Sequence, residues 1–202
     1  MLPILYSYRR CPYAMRARMV LEYAGIKVEH REIELRSKPT SMLRVSPKGT
    51  VPVLCLDDLI LEESLDIMHW ALRRSDPDGW GDVDPLLAQS WIAKNDGPFK
   101  LLLDQYKYPE RYPHLQQVET LSAACKVMLE PLENALRSSL YVMGNNISWV
   151  DVAIFPFVRQ FARVDQNRFE ELPFVAVKNW LHQQLGSPLF KAIMVKHPTW
   201  KD

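Results

Sequence analysis

The sequence predicts two domains: a small α/β domain with the order β-α-β-α-β-β-α, then an all-helical domain. Three observations carry this. Short apolar strand-like runs alternate with helical patterns up to about residue 74. A turn-rich stretch, SDPDGWGDVDP, follows. Beyond Pro85 the strand signals vanish and long amphipathic segments take over. The expected boundaries are residues 1–74 for the first domain, 75–84 for a linker and 85–202 for the helical domain.

Each element has a local cause. Residues 3–8 (PILYSY) read as a short buried strand. Pro12 marks a helix start, because proline lacks only an N–H that the first turn does not use. Met15, Met19, Val20 and Tyr23 recur at helical spacing, and Gly25 is the expected C-cap. Residues 27–33 alternate apolar and polar as a second strand does. A short helix is expected between Pro39 and Arg44. Residues 51–56 (VPVLCL) form a third strand, and Asp57-Asp58 turns it back into Leu59–Leu61. Ser64 is placed to cap a helix running through Arg74.

In the second domain one helix runs from about Leu86 to Tyr106, disturbed at Gly97-Pro98. Another spans Leu115 to Leu140. Residues 147–151 (ISWVD) resemble a capping box, with Ser148 as cap and Asp151 reaching back to its backbone amide. Two short helices are expected around Trp180 and Phe190.

Composition narrows the function. The 202 residues are 48% hydrophobic and 24% charged, an ordinary globular balance. Net charge is +1, which offers no field for nucleic acid or membrane. Residues 1–74 carry 12 Lys and Arg against 9 Asp and Glu, a mild excess that suits a small anion. The three cysteines, Cys11, Cys55 and Cys125, suggest no disulfide framework, and a reducing cytoplasm is expected. The N-terminus lacks the pattern of a signal peptide. The five histidines show no metal-ligand spacing, so no metal is expected.

The chemistry centres on Cys11-Pro12-Tyr13-Ala14, between a strand and a helix. There backbone amides and the helix dipole favour an anion, and Arg9, Arg10 and Arg16 add positive charge. Cys11 is therefore expected to have a lowered pKa and to react as the thiolate. Ala14 stands where a resolving cysteine would sit in a CxxC motif, so a local disulfide is excluded. Cys55 and Cys125 read as packing residues. Val51-Pro52 heads a strand that otherwise looks central. Proline is poorly tolerated inside a sheet, so the residues leave two readings. One is an ordinary trans proline at the strand start. The other is a cis peptide that leaves the Val51 backbone to pair with an extended ligand, the form expected in a thioredoxin-like order of elements. Glu63-Ser64 precedes a helix and suits the zwitterionic end of an amino acid.

Taken together, the Cys-Pro-x-Ala turn, the Val-Pro strand, ESLDIMHWAL and Ser148-Trp149-Val150-Asp151 resemble the glutathione-transferase superfamily over nearly the whole chain. Omega-class transferases and the bacterial two-domain glutaredoxin are the nearest likenesses. The resemblance implies a thioredoxin-like first domain and an all-α second domain. It implies that Cys11 forms the mixed disulfide with glutathione, that Val51 and Pro52 present backbone to its cysteinyl part, that Glu63 and Ser64 hold its γ-glutamyl end and that Lys38 approaches its glycyl end. Tyr13, Trp91 and Tyr106 are candidates for an apolar co-substrate pocket. The implied activity is monothiol disulfide exchange or dehydroascorbate reduction, with glutathione and a small disulfide or electrophile as partners. The rival reading is a non-catalytic relative of the same fold. Monomer and homodimer are both left open.

Overall fold

The computed structural model describes residues 2–202. Four strands, β1 (Ile4–Ser7), β2 (Glu29–Glu32), β3 (Val53–Cys55) and β4 (Ile60–Leu61), form one sheet in the order β2-β1-β3-β4. β1 pairs parallel with β2, placing Leu5 opposite His30, and antiparallel with β3, placing Leu5 opposite Leu54. β3 and β4 form the antiparallel edge. This is a thioredoxin-like α/β sheet.

Helix α1 (Pro12–Tyr23) follows β1 and packs beside α3 (Ser64–Arg74). Proline opens α1, and Gly25 ends it at φ 67°, where its N–H donates to the Glu22 carbonyl. That left-handed conformation carries little steric penalty for glycine. The short α2 (Thr40–Val45) lies between β2 and β3. The Val51–Pro52 peptide is cis. The expected cap at Ser64 is not made. Glu63 holds the N-cap position, and Ser64 is the first helical residue. Its hydroxyl accepts from Arg16 Nε at 2.9 Å instead.

The remaining helices are α4 (Pro85–Lys94), α5 (Lys100–Lys107), α6 (Gln117–Ala124), α7 (Glu130–Ser138), α8 (Trp149–Ala162), α9 (Gln166–Glu171), α10 (Val175–Gly186) and α11 (Pro188–Ile193). Between α4 and α5 the chain widens into a π-helical turn, Asn95–Phe99. Pro98 explains it: proline cannot donate to the i−4 carbonyl and clashes with it, so the turn opens. A second π-turn, Cys125–Leu129, joins α6 to α7. α8 is buried on almost every side, as an apolar helix at a domain centre must be. Phe161 collects Phe99, Tyr106 and Phe169 around it, with ring centroids 5.3–6.4 Å away.

The chain divides into two compact units, and the division corrects the expected boundaries. Trp80–Gly186 form the helical unit. Ser187–Asp202 belong with the residues up to Gly79, not with the helical domain. The tail reaches the exposed edge of β2. Trp200 N donates to the Glu32 carbonyl at 2.8 Å, and Thr199 bridges Glu32 in parallel. The Trp200 ring lies edge-on to Tyr6, with the Arg31 guanidinium 4.2 Å above it. The Asp202 carboxylate accepts from the Thr40 and Ser41 amides. An edge strand left bare would expose unpaired backbone, and the tail covers part of it.

The capping box forms. Asp151 is fully buried and accepts four hydrogen bonds. Its Oδ1 takes Val142 N at 2.9 Å and Trp180 Nε1 at 3.0 Å. Its Oδ2 takes Ser148 N at 3.1 Å and Ser148 Oγ at 2.9 Å.

Candidate active site around Cys11

Cys11 occupies the N-cap of α1 with extended backbone (φ −74°, ψ 124°) and is half-buried. Its N–H donates to the Tyr8 carbonyl, and its own carbonyl accepts from Met15 N. The thiol donates to the Val51 carbonyl at 3.7 Å. The cis Val51–Pro52 peptide thus holds the Val51 carbonyl beside the sulfur. Cys11 and Val51 both join a small apolar cluster with Tyr6, Ala14, Ile33 and Val53.

The arginines divide their work differently from the expectation. Arg10 donates to the Tyr8 hydroxyl from both Nε and Nη2. Arg16 is almost fully buried; it stacks 5.0 Å from the Tyr13 ring and bonds Ser64. Its charge therefore stands at the start of α3. Arg18, two turns past Cys11, is the residue that sequence reading missed. It is 5% exposed. Its Nη1 donates to Ser7 Oγ at 2.5 Å and Tyr8 O at 3.3 Å, and its Nη2 to Arg9 O at 2.9 Å. The opposite side of Arg9 is held as well, since its N–H donates to Glu32 Oε1 at 2.7 Å. Arg18 and Glu32 clamp the turn that delivers Cys11. Burial pulls the Arg18 pKa down to about 10, against the attraction of Glu32 and of the Cys11 sulfur. It is still a cation at neutral pH. Burial raises the Glu32 carboxyl, but bonds from His30 and Arg9 N outweigh it and hold the pKa below the usual range.

The other expected residues fall as follows. Glu63 is exposed and its carboxylate accepts from Lys48 Nζ at 2.8 Å, an ion pair that was not foreseen. Lys38 is exposed and lies over Gly49, with Nζ 3.2 Å from where a Cβ would stand. Gly49 has φ 62°, so both the backbone and the lysine favour glycine there. Trp91 and Tyr106 lie in the helical unit, Trp91 with Lys94 Nζ 4.9 Å above its ring and Tyr106 with its ring 5.3 Å from Phe161. Tyr13 lies in the first unit, on α1. Burial raises the Cys55 thiol pKa and takes that of Cys125 to about 11, so both resist ionisation. Among the described residues no group of three or more His, Cys, Asp and Glu could hold a metal ion, and no helix is long and apolar enough to cross a membrane.

A thioredoxin-like sheet, a cysteine at the start of the first helix, a cis X–Pro facing it and an all-helical second unit define a two-domain thiol-bearing fold. The comparisons with known proteins agree. Residues 5–79 match the glutathione S-transferase N-terminal domain, and residues 116–183 match the glutathione S-transferase C-terminal domain. The chain belongs to the glutathione S-transferase family. It is 24% identical to glutathione S-transferase omega-1 of Rattus norvegicus over 206 residues, covering 98% of this chain and 83% of the relative. It is also 24% identical to elongation factor 1-gamma 1 of Oryza sativa subsp. japonica, covering 95% of this chain but 48% of that protein. A crystal structure of a glutathione transferase family member from Pseudomonas fluorescens with two glutathione bound shares the fold. Its TM-score is 0.80 at 18% identity, over 96% of this chain and 92% of that one.

Proposed function

We propose that the protein is a glutathione-dependent thiol transferase that works through Cys11 alone. The observation that carries the reading is the placement of Cys11. Its sulfur lies at the start of α1, partly accessible, against the Val51 carbonyl, with Ala14 where a second cysteine would resolve it. In the first step the Cys11 thiolate attacks the glutathione sulfur of a mixed disulfide. The Cys11–glutathione disulfide forms, and the other thiol leaves as its thiolate. In the second step a glutathione thiolate attacks that disulfide. Glutathione disulfide leaves, and the Cys11 thiolate returns. Exchange of this kind needs an accessible thiolate and a competent leaving thiol.

The cradle supports this chemistry. Deprotonation ends the S–H bond to Val51, leaving that carbonyl for the amide of glutathione's cysteinyl residue. Arg16 and Ser64 suit the γ-glutamyl carboxylate, Glu63 its ammonium and Lys38 the glycyl carboxylate. Glu63 would exchange Lys48 for the ammonium, an even trade at an exposed site. A glutathione-fed cycle belongs in a reducing compartment, the cytoplasm, and the similarity to an omega-class transferase supports the same reading. The similarity to elongation factor 1-gamma 1, a protein not named for transferase activity, supports a second reading, a non-catalytic member of the family.

The test is Cys11→Ser, assayed for exchange with a glutathionylated small disulfide and for glutathione binding by calorimetry. Exchange should fall to background, because a serine hydroxyl is scarcely ionised at neutral pH and forms no disulfide. Binding should persist, because the contacts named lie away from the sulfur. A mutant that retains full exchange refutes the mechanism. Wild-type protein that binds glutathione but never exchanges supports the second reading.

A further inference from the structure

The residue before Cys11 carries a charge that the glutathione cradle leaves unused. Arg10 is exposed, and among the described residues no carboxylate pairs with it. A free arginine side chain has much rotamer entropy to lose. This one is already held. Its Nε and Nη2 both donate to the Tyr8 hydroxyl, at 3.0 and 2.7 Å, and its guanidinium carbon lies 5.6 Å from the Tyr8 ring centroid. Tyr8 is anchored in turn. Its ring packs on the apolar cluster that Cys11 also joins, and its carbonyl accepts from Cys11 N at 3.0 Å. Arg10 is thus fixed onto a ring that shares its packing with the reacting cysteine.

The donors left over define what this pair can hold. A hydroxyl oxygen has two lone pairs, and Arg10 takes both at Tyr8. The Tyr8 O–H is left to donate elsewhere, and among the described residues nothing accepts it. Arg10 Nη1 likewise meets no acceptor there. One hydroxyl and one guanidinium nitrogen, side by side, match the two oxygens of a carboxylate. Glutathione does not need them, since Arg16, Ser64, Glu63 and Lys38 serve its two ends.

We propose that Tyr8 and Arg10 form a carboxylate subsite for the second reactant at Cys11, and that the protein selects mixed disulfides of glutathione whose other thiol carries a carboxylate close to its sulfur. The proposal rests on Cys11 being the reacting thiol. The Tyr8 hydroxyl and Arg10 Nη1 each donate to one carboxylate oxygen. The Cys11 thiolate attacks the glutathione sulfur, the old S–S bond breaks, and the acidic thiol leaves as its thiolate. Leaving places a second negative charge near the first, and a fixed guanidinium stabilises that charge as it develops.

Two alkylating reagents test the subsite without glutathione. Iodoacetate and iodoacetamide alkylate the same Cys11 thiolate with loss of iodide, and only the first carries a carboxylate. The ratio of their rate constants cancels any change in thiolate fraction. Arg10→Gln should lower the iodoacetate-to-iodoacetamide ratio at Cys11 about fivefold, the upper range for an exposed charge contact. Tyr8→Phe keeps the ring and removes no charge, yet should lower the ratio about threefold, because a donor and the anchor of the arginine are lost. Arg9→Gln removes a cation one residue farther away and should keep the ratio within about twofold of the wild type. Thermal melting of each variant confirms the fold. The second measurement is kcat/KM for exchange with the mixed disulfides of glutathione with 3-mercaptopropionate and with 2-mercaptoethanol. The advantage of the acidic disulfide should shrink in Arg10→Gln by the same factor as the alkylation ratio. An unchanged ratio in Arg10→Gln or Tyr8→Phe, or an equal fall in Arg9→Gln, would overturn the proposal. Wild-type protein that exchanges neither disulfide but keeps the alkylation preference refutes the thiol-transferase reading and supports the subsite.

Discussion

Removing Asp151 tests how a short motif stabilises a whole unit. Its carboxylate accepts from Val142 N, Trp180 Nε1, Ser148 N and Ser148 Oγ, and is wholly buried. Burial pushes its pKa up, and those four donors pull it back. In Asp151→Ala all four lose their acceptor. Each unsatisfied buried donor costs about 1–3 kcal/mol, but the costs are not additive because the segment relaxes. We expect about 4–5 kcal/mol, at the upper end for a single substitution. Asp151→Asn should be milder. The amide oxygen can keep Val142 and Trp180, and the Ser148 hydroxyl can turn to accept from the amide NH₂. Only Ser148 N–H is then orphaned, for about 1–3 kcal/mol. Ser148→Ala removes the hydroxyl's half of the box, its bond to Asp151 Oδ2 and the one it accepts from the Asp151 backbone, for about 0.5–2 kcal/mol. The assay is urea unfolding followed by circular dichroism, with glutathione affinity measured on each folded variant. The midpoints should fall in the order Ser148→Ala, Asp151→Asn, Asp151→Ala. If Asn costs as much as Ala, the charge and not the donor count sets the energy, and the reasoning fails. A large loss of glutathione affinity in a stably folded variant would show that the box also shapes the binding site.

Three further outcomes follow from the same geometry. Arg18→Met should slow Cys11 alkylation at pH 7 by about tenfold and move its pH profile to higher pH, because one nearby cation and three loop bonds are lost; Arg18→Lys should recover part of the shift, and an unchanged profile would exclude Arg18 as a positioning residue. Cys125 should alkylate slowly at pH 8, since a thiol raised to about 11 is ionised in about one molecule per thousand there. Its rate should climb about tenfold per pH unit toward 11, and reaction of Cys55 or Cys125 ahead of Cys11 near neutral pH would refute the assignment. Glu133→Ala should lower the unfolding free energy by about 1–3 kcal/mol, because Val177 N at the start of α10, which donates to the buried carboxylate at 3.0 Å, loses its acceptor; an unchanged midpoint would show that this link contributes nothing.

Features decided by neighbours in sequence were legible, and those decided across the chain were not. Pro12, Gly25, Val51-Pro52 and Ser148-Asp151 each act within a few residues, so composition alone exposes them. The tail could not be read this way. Trp200 meets Glu32 across more than 160 positions, and nothing in HPTWKD announces a sheet edge. Ser64 misled because a serine before a helix ordinarily caps it, whereas here a distant arginine claims the hydroxyl. Arg18 is the instructive miss, because a signal was present. From Pro12 to Leu21 the residues other than Arg16 and Arg18 are proline, alanine, tyrosine, methionine, valine and leucine, with no polar face on which a charge could be solvated. A helix apolar on all sides is buried. An arginine in such a helix must find partners, since a buried charge without them is too costly to keep. The nearest backbone acceptors lie in the turn just before the helix. That reasoning leads from the composition of α1 to a clamp on residues 7–9, the segment that sets the position of Cys11.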